Sequence, residues 1–173
     1  MQTLNLDGDF RVTYPCGHSM PETIKYVQSI KTALLTHDPM LNHPDTQINL
    51  WCRGSSGAIL AALFCLIVAP QANIRVLHVK KSGEEAHEDR ARPFYGTATD
   101  IIIDDFMDKG HTIKAIITDA GINKIDYLIV AFINEAARMN YFLDKRNLLP
   151  AYLVSNRTQN EIIQLFLNPK IQE

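Results

Sequence analysis

No stretch of this chain is apolar for long enough to cross a bilayer. The longest apolar run, residues 58–69, has 12 residues, where a membrane-spanning helix needs about 20; a buried helix is expected there, and no membrane partner. The leading residues MQTLNLDGDFR contain no basic region followed by an apolar one, so no secretory signal is read in them. Charge of one sign is also lacking: 17 Lys and Arg stand against 19 Asp and Glu, a net charge of −2. Such a balance supplies no field to draw the chain onto nucleic acid, and the longest basic stretch, Lys80-Lys81, is too short to supply one locally. Cysteine is scarce. Cys16, Cys52 and Cys65 cannot all pair internally and form no CxxC, and two of them lie in apolar runs, where a thiol packs as a small hydrophobe. That usage suits a reducing cytoplasm. What remains is 46% hydrophobic and 21% charged, the proportions of a globular protein, and 173 residues suit one domain.

Elements follow from punctuation and periodicity. Ser19, with Glu22 three residues on, opens a helix to about residue 37 that places Ile24, Val27, Ile30 and Leu34 on one face. Residues 38–45, with two prolines, form a loop. A short apolar strand over 48–52 ends in Arg53-Gly54-Ser55-Ser56-Gly57, and the apolar helix 58–68 follows, closed by Pro70. Residues 73–79 are rich in β-branched side chains and predict a second strand. Residues 80–96, dense in charge and poor in aliphatics, predict a long mobile loop of the kind that is functional when it occurs inside a compact domain. Three consecutive isoleucines, 101–103, predict a strand covered on both faces. An amphipathic helix to about 120, a strand over 127–132, a helix over 135–146, a strand over 151–154 and a helix over 158–167 complete the chain. Strands alternating with helices from residue 48 onward predict an α/β domain with a largely parallel twisted sheet flanked by helices. The first 45 or so residues precede that alternation and are expected to add a strand or a small cap.

In a parallel sheet, ligands bind beyond the carboxyl ends of the strands. Asp104 and Asp105 follow the isoleucines there, and carboxylates buried without partners are costly, so a polar ligand or a cation is expected beside them. Carboxylates accept hydrogen bonds and suit the vicinal hydroxyls of a sugar. Five residues after Asp105, Gly110 permits a positive φ, and Thr112 then opens a helix whose free N–H groups and dipole favour phosphate. A sugar site and a phosphate site would thus lie about one ribose apart.

The run Ile101-Ile102-Ile103-Asp104-Asp105-Phe106-Met107-Asp108-Lys109-Gly110-His111-Thr112 resembles the phosphoribosyl pyrophosphate signature of type I phosphoribosyltransferases: an apolar strand, two acidic residues, two mostly apolar ones, and a Gly/Thr-rich phosphate turn. Arg53-Gly54-Ser55-Ser56-Gly57 resembles that family's short pyrophosphate loop, and residues 80–96 stand where it has a mobile catalytic loop. The resemblance covers roughly 47–132. It implies a single domain over 1–173 with a small N- or C-terminal hood, and a Mg²⁺-dependent pentosyl transfer from phosphoribosyl pyrophosphate to a nucleobase, with release of pyrophosphate, in nucleotide salvage. It further implies that Asp104 and Asp105 bind the ribose hydroxyls and receive Mg²⁺ indirectly, through those hydroxyls or water. Lys109, Gly110, His111 and Thr112 would hold the 5′-phosphate, Arg53, Gly54, Ser55 and Lys81 the pyrophosphate, and Asp108 would act as general base at a purine, which gives purines a slight preference. A homodimer or larger assembly is implied by analogy alone.

The chain also departs from the signature. Lys109 stands where Thr is common, His111 where Gly or Lys is frequent, and the strand end at Phe132-Ile133-Asn134 lacks the Lys that reads a purine's exocyclic oxygen. These departures leave open a non-catalytic protein that senses nucleotide or phosphoribosyl pyrophosphate. Plainer readings stand beside the sharper ones. Residues 53–57 also suit an ordinary strand-to-helix turn, Lys80-Lys81 a solvated strand end, His111 an exposed helix start, and Trp51 the core. Phe94 and Tyr95 suit either stacking on a base or anchoring the loop's end. Cys16-Gly17-His18 has no second ligand pair and reads as structural. A nucleoside-triphosphatase fits poorly, because RGSSGAIL lacks the Gly-Lys-Ser/Thr of a phosphate-gripping loop.

Overall fold

The computed structural model describes residues 19–80, 92–107, 109–133 and 153–155. Five strands form one sheet: β1 (Gln47–Cys52), β2 (Asn73–His78), β3 (Thr99–Met107), β4 (Tyr127–Ile133) and β5 (Leu153–Ser155). Their order is β2-β1-β3-β4-β5. The first four run parallel and β5 pairs antiparallel with β4. The expected α/β architecture with a largely parallel sheet is therefore present. Among the described residues, no helix is long and apolar enough to cross a membrane.

Two layers of core sit on the two faces. On one, α1 (Met20–His37) and α2 (Gly54–Leu63) bury Val27, Ile30, Leu34 and Leu60 against Ile48, Leu50, Ile101 and Ile103. On the other, α3 (His111–Ala120) buries Ile113, Ile116 and Ile117 against Trp51, Ile102, Leu128 and Val130. Strand residues of alternating parity thus feed opposite cores, which is why the central strands read as unbroken apolar runs. At the head of α1 the Glu22 carboxylate accepts from the Ser19 N–H at 2.9 Å and from its hydroxyl at 2.7 Å, so the expected Ser/Glu start is built. Trp51 is core, as its strand position suggests.

Three features differ from expectation. The second helix begins at Gly54 instead of residue 58, so Ser55, Ser56 and Gly57 are its first turn, and its end widens into a π turn over Phe64–Val68. The loop after α1 contains a 3₁₀ turn, Pro39–Asn42, with Asp38 accepting from the Met40 N–H at 3.2 Å. β3 runs to Met107, carrying the acidic pair inside the strand, because β4 extends beside it through the pairs Phe106–Phe132 and Met107–Ile133. Of the strand expected over 151–154, residues 153 and 154 are described and lie in the strand Leu153–Ser155. The expected cap from the N-terminal residues, the Cys16-Gly17-His18 group, Asn134, and the helices over 135–146 and 158–167 lie outside the described residues.

Residues 92–96, expected to belong to a mobile loop, are pinned to the sheet; 81–91 lie outside the described residues. The buried Asn49 amide accepts from the Phe94 N–H at 2.7 Å and donates to the Phe94 carbonyl at 3.0 Å, imitating a strand pairing with its side chain. Arg75 lies 3.9 Å over the Phe94 ring and donates to the Arg92 carbonyl at 2.7 Å. Phe94 is therefore an anchor, while Tyr95 is exposed. Asp100 completes the network, accepting from Asn49 at 3.0 Å and from the Trp51 indole at 2.9 Å. Burial, above all, raises the Asp100 carboxyl above its usual range, against the pull of those two donors. A raised carboxyl favours the protonated form in the fold. Its contribution is complete at pH values below the ordinary carboxylate range and is lost as pH climbs through the raised value. Asp100→Asn, which keeps an oxygen acceptor without the charge, should leave stability at neutral pH unchanged or higher. Asp100→Ala, which strands the indole donor, should cost about 1–3 kcal/mol; thermal melts of both variants at pH 5 and pH 8 check this.

Candidate active site

The strand order reverses direction between β1 and β3: from β1 the chain crosses to β2 on one side, and then returns to β3 on the other. A crevice opens at such a switch point, beyond the carboxyl ends of the two strands. The sequence motifs converge on it. Asp104 and Asp105 lie near the end of β3, and residues 53–57 leave the end of β1. Asp104 is only 4% exposed, and its Oδ1 accepts from the Asp105 N–H at 3.0 Å; Asp105 is half-buried.

β3 then turns into α3. Gly110 sits in the left-handed region at φ 68°, ψ 10°, a conformation that disfavours any side chain, and its carbonyl receives the Lys114 N–H at 2.9 Å. The leading N–H groups of α3 have no intrahelical acceptor and point out of its head. Asp104, Phe106, Lys109, Gly110, His111 and Thr112 line one cleft of about 290 Å³ with Met107 and Ile113. The cleft thus brings one carboxylate, Asp104, together with a helix head and the side chains of Lys109 and His111. That pairing of an acceptor-only carboxylate with a donor-rich turn suits a molecule carrying hydroxyls at one end and phosphate at the other.

The head of α2 approaches from the other core. Gly54 adopts φ 72°. A Cβ on Gly57 would lie 3.5 Å from Cys52 Cβ and 3.9 Å from Asp104 Oδ1, so this glycine marks where the first turn of α2 comes up against the acidic strand end. Ser55 is exposed on that turn. Arg53 takes a different direction: its guanidinium donates to Asp119 Oδ2 at 2.7 Å, and it does not line the cleft. Asp108 and Lys81 lie outside the described residues. Among the described residues, no three His, Cys, Asp or Glu side chains group to hold a metal ion.

Cys52, under this floor, is buried. Burial first, then the Asp104 charge and then Cys65, push its thiol up to about 11. It therefore stays protonated at neutral pH and makes a poor nucleophile. With the folded value above the ordinary one of 9.0, its contribution to stability is complete below pH 9 and is lost as pH rises through about 11. At pH 8 a thiol reagent should leave Cys52 unmodified in the native protein and label it after denaturation. Mass spectrometry of the peptide carrying it reads both states.

Of the lining residues that sequence reasoning passed over, Phe106 is the exposed one. It stood only as an apolar member of the signature, yet it is 42% exposed beside Asp104. Period-two alternation was the available signal, since it puts residue 106 on the same face as residue 104. A second cleft, about 260 Å³, opens near the amino ends of the strands beside Asp38, Asp45, Thr46, Thr97 and Thr99. Among the described residues it is lined by no cationic side chain.

No protein-family model and no curated protein sequence matches the chain. Solved structures do. A hypoxanthine-guanine phosphoribosyltransferase from Bacillus anthracis is similar at 12% identity over 69% of this chain and 70% of that one, with a TM-score of 0.46. An HGPRT-ase from Leishmania tarentolae, solved in complex with GMP, is 15% identical over 68% of this chain and 66% of that one, with a TM-score of 0.45. A hypoxanthine phosphoribosyltransferase from Staphylococcus aureus is 13% identical over 66% of each chain, with a TM-score of 0.40.

Proposed function

We propose that the chain transfers a 5-phosphoribosyl group from phosphoribosyl pyrophosphate to a nitrogenous base, a purine by preference, and releases pyrophosphate. The single observation that carries this reading is that one cleft at the carboxyl end of β3 is lined both by the buried Asp104 carboxylate and by the left-handed Gly110 turn that heads α3. Asp104 and Asp105 accept hydrogen bonds from the ribose hydroxyls. The N–H groups after Gly110, with Thr112 and the flanking Lys109 and His111, hold the 5′-phosphate.

In the reaction the bond from ribose C1 to the pyrophosphate oxygen breaks, and a bond from C1 to a base nitrogen forms. Pyrophosphate leaves with the bonding pair, and the base gives up its N–H proton to Asp108, the role that the resemblance implies for it. Positive charge spreads over C1 and the ring oxygen in the transition state, and fixed carboxylates nearby lower its energy. The ring of Phe106 offers a planar base an apolar surface next to the sugar site. Mg²⁺ would be held by the pyrophosphate and ribose oxygens beside Asp104 and Asp105 and would neutralise the leaving group's charge. The setting proposed is the reducing cytoplasm, in nucleotide salvage, as a homodimer or larger assembly.

Incubation with phosphoribosyl pyrophosphate, Mg²⁺ and a panel of purine and pyrimidine bases tests the proposal. Pyrophosphate release that requires one base is the expected result. Tight binding of phosphoribosyl pyrophosphate with no release under any base would instead identify a sensor on this fold, and absence of binding would end both readings.

A further inference from the structure

We propose that Arg53 and Asp119 form a clamp that fixes α3 on the sheet, and with it the Gly110 turn at its head, so that Arg53 positions the phosphate site instead of contacting the ligand. The part concerning phosphate rests on the reading of that turn given above.

The register explains the meeting of two residues 66 positions apart. Trp51 pairs with Ile102 as the last matched position between β1 and β3, so Arg53 stands level with Asp104. Side chains alternate along a strand, and Trp51 faces the α3 core, so Arg53 faces it too. β3 runs on from Asp104 to Met107, about 10 Å higher. The chain then turns, and α3 descends the same face. Asp119 is eight residues below His111, about 12 Å down the helix. The two ends therefore arrive at one level, where Arg53 donates to the Asp119 carboxylate at 2.7 Å.

Exposure separates a clamp from a ligand-binding arginine. The Arg53 side chain is 12% exposed, against 50% for Asp119. Most of its side chain is covered, and its guanidinium is paired with Asp119. The α2 head, with its free N–H groups, belongs to the opposite core. To reach an anion at that head, Arg53 would have to leave its partner and cross the sheet edge. Unlike His43–Asp45 and Lys124–Asp126, which join residues two apart, this pair ties one element to another. The arginine side chain is mostly covered while its partner is half exposed, so the tie holds chiefly by fixing the arginine end against the helix.

Hydrogen exchange of the full chain, read on peptides covering 111–121, tests the clamp in Arg53→Met, Asp119→Asn and the double variant. Met keeps the apolar stem and Asn keeps the shape. Each single substitution should speed exchange of α3 amides by about fivefold or more, and the double no further, since both remove the same interaction. Arg53→Lys, which keeps the charge, should restore part of the protection. Ribose 5-phosphate affinity should fall to a similar extent in both singles, while pyrophosphate affinity discriminates between them no more than the exchange does. Unchanged α3 exchange in the singles would overturn the clamp, as would pyrophosphate binding weakened by Arg53→Met alone. Coupled exchange effects in a protein that never binds ribose 5-phosphate would keep the clamp and overturn its phosphate role.

Discussion

Asp104→Asn and Asp105→Asn, introduced together, should lower kcat/KM for phosphoribosyl transfer by at least about a hundredfold, the scale seen when a fixed charge aimed at a developing one is removed. The fold should survive. Asn preserves side-chain volume, and Oδ1 of residue 104 keeps its acceptor role toward the next N–H. Removing the charge at 104 also takes away one of the influences that raise Cys52, so its thiol should titrate lower in the variant. Parallel kinetics and thiol titration on one preparation thus separate loss of function from loss of structure. Unchanged turnover alongside a lowered thiol pKa would show that the carboxylate was neutralised without consequence, against the assignment.

Gly110→Val should be nearly as damaging, through backbone instead of charge. A β-branched residue at φ 68° carries about 1–2 kcal/mol of strain or more. Relief requires the turn to rotate, which re-aims the N–H groups of the α3 head. Phosphate or ribose 5-phosphate affinity should fall at least about tenfold, with a melting temperature lower by several degrees. Retained affinity in a folded Gly110→Val protein would remove the turn from the site.

Much of the fold was legible because the two cores leave a simple record. Ile101, Ile102 and Ile103 are apolar without alternation since consecutive residues feed opposite cores. Ser19 and Glu22 announced α1 by side-chain chemistry that acts within four residues. The start of α2 was less legible because Gly54, Ser55, Ser56 and Gly57 are poor interior helix residues; packing of Gly57 against Cys52 and the strand end, a tertiary contact, lets them form its first turn. The pinning of residues 92–96 depended on Asn49 and Arg75, distant in sequence, so composition alone suggested mobility.

The candidate site divides in the same way. Asp104, Gly110 and Thr112 lie within nine residues, and their grouping in one cleft follows from local geometry. Arg53 belonged by sequence to the β1–α2 turn, and only the relative heights of β1, β3 and α3 direct it to Asp119. Phe106 was hidden because an aromatic residue after an apolar strand looks like more core.

Calorimetric titration of the protein with ribose 5-phosphate, ribose and inorganic phosphate tests most directly that acidic pair and turn act together on one ligand. Ribose 5-phosphate should bind at least about tenfold more tightly than phosphate. That advantage should vanish in the Asp104→Asn, Asp105→Asn protein while phosphate binding itself persists. Equal affinity for phosphate and ribose 5-phosphate, unaffected by the two substitutions, would contradict it.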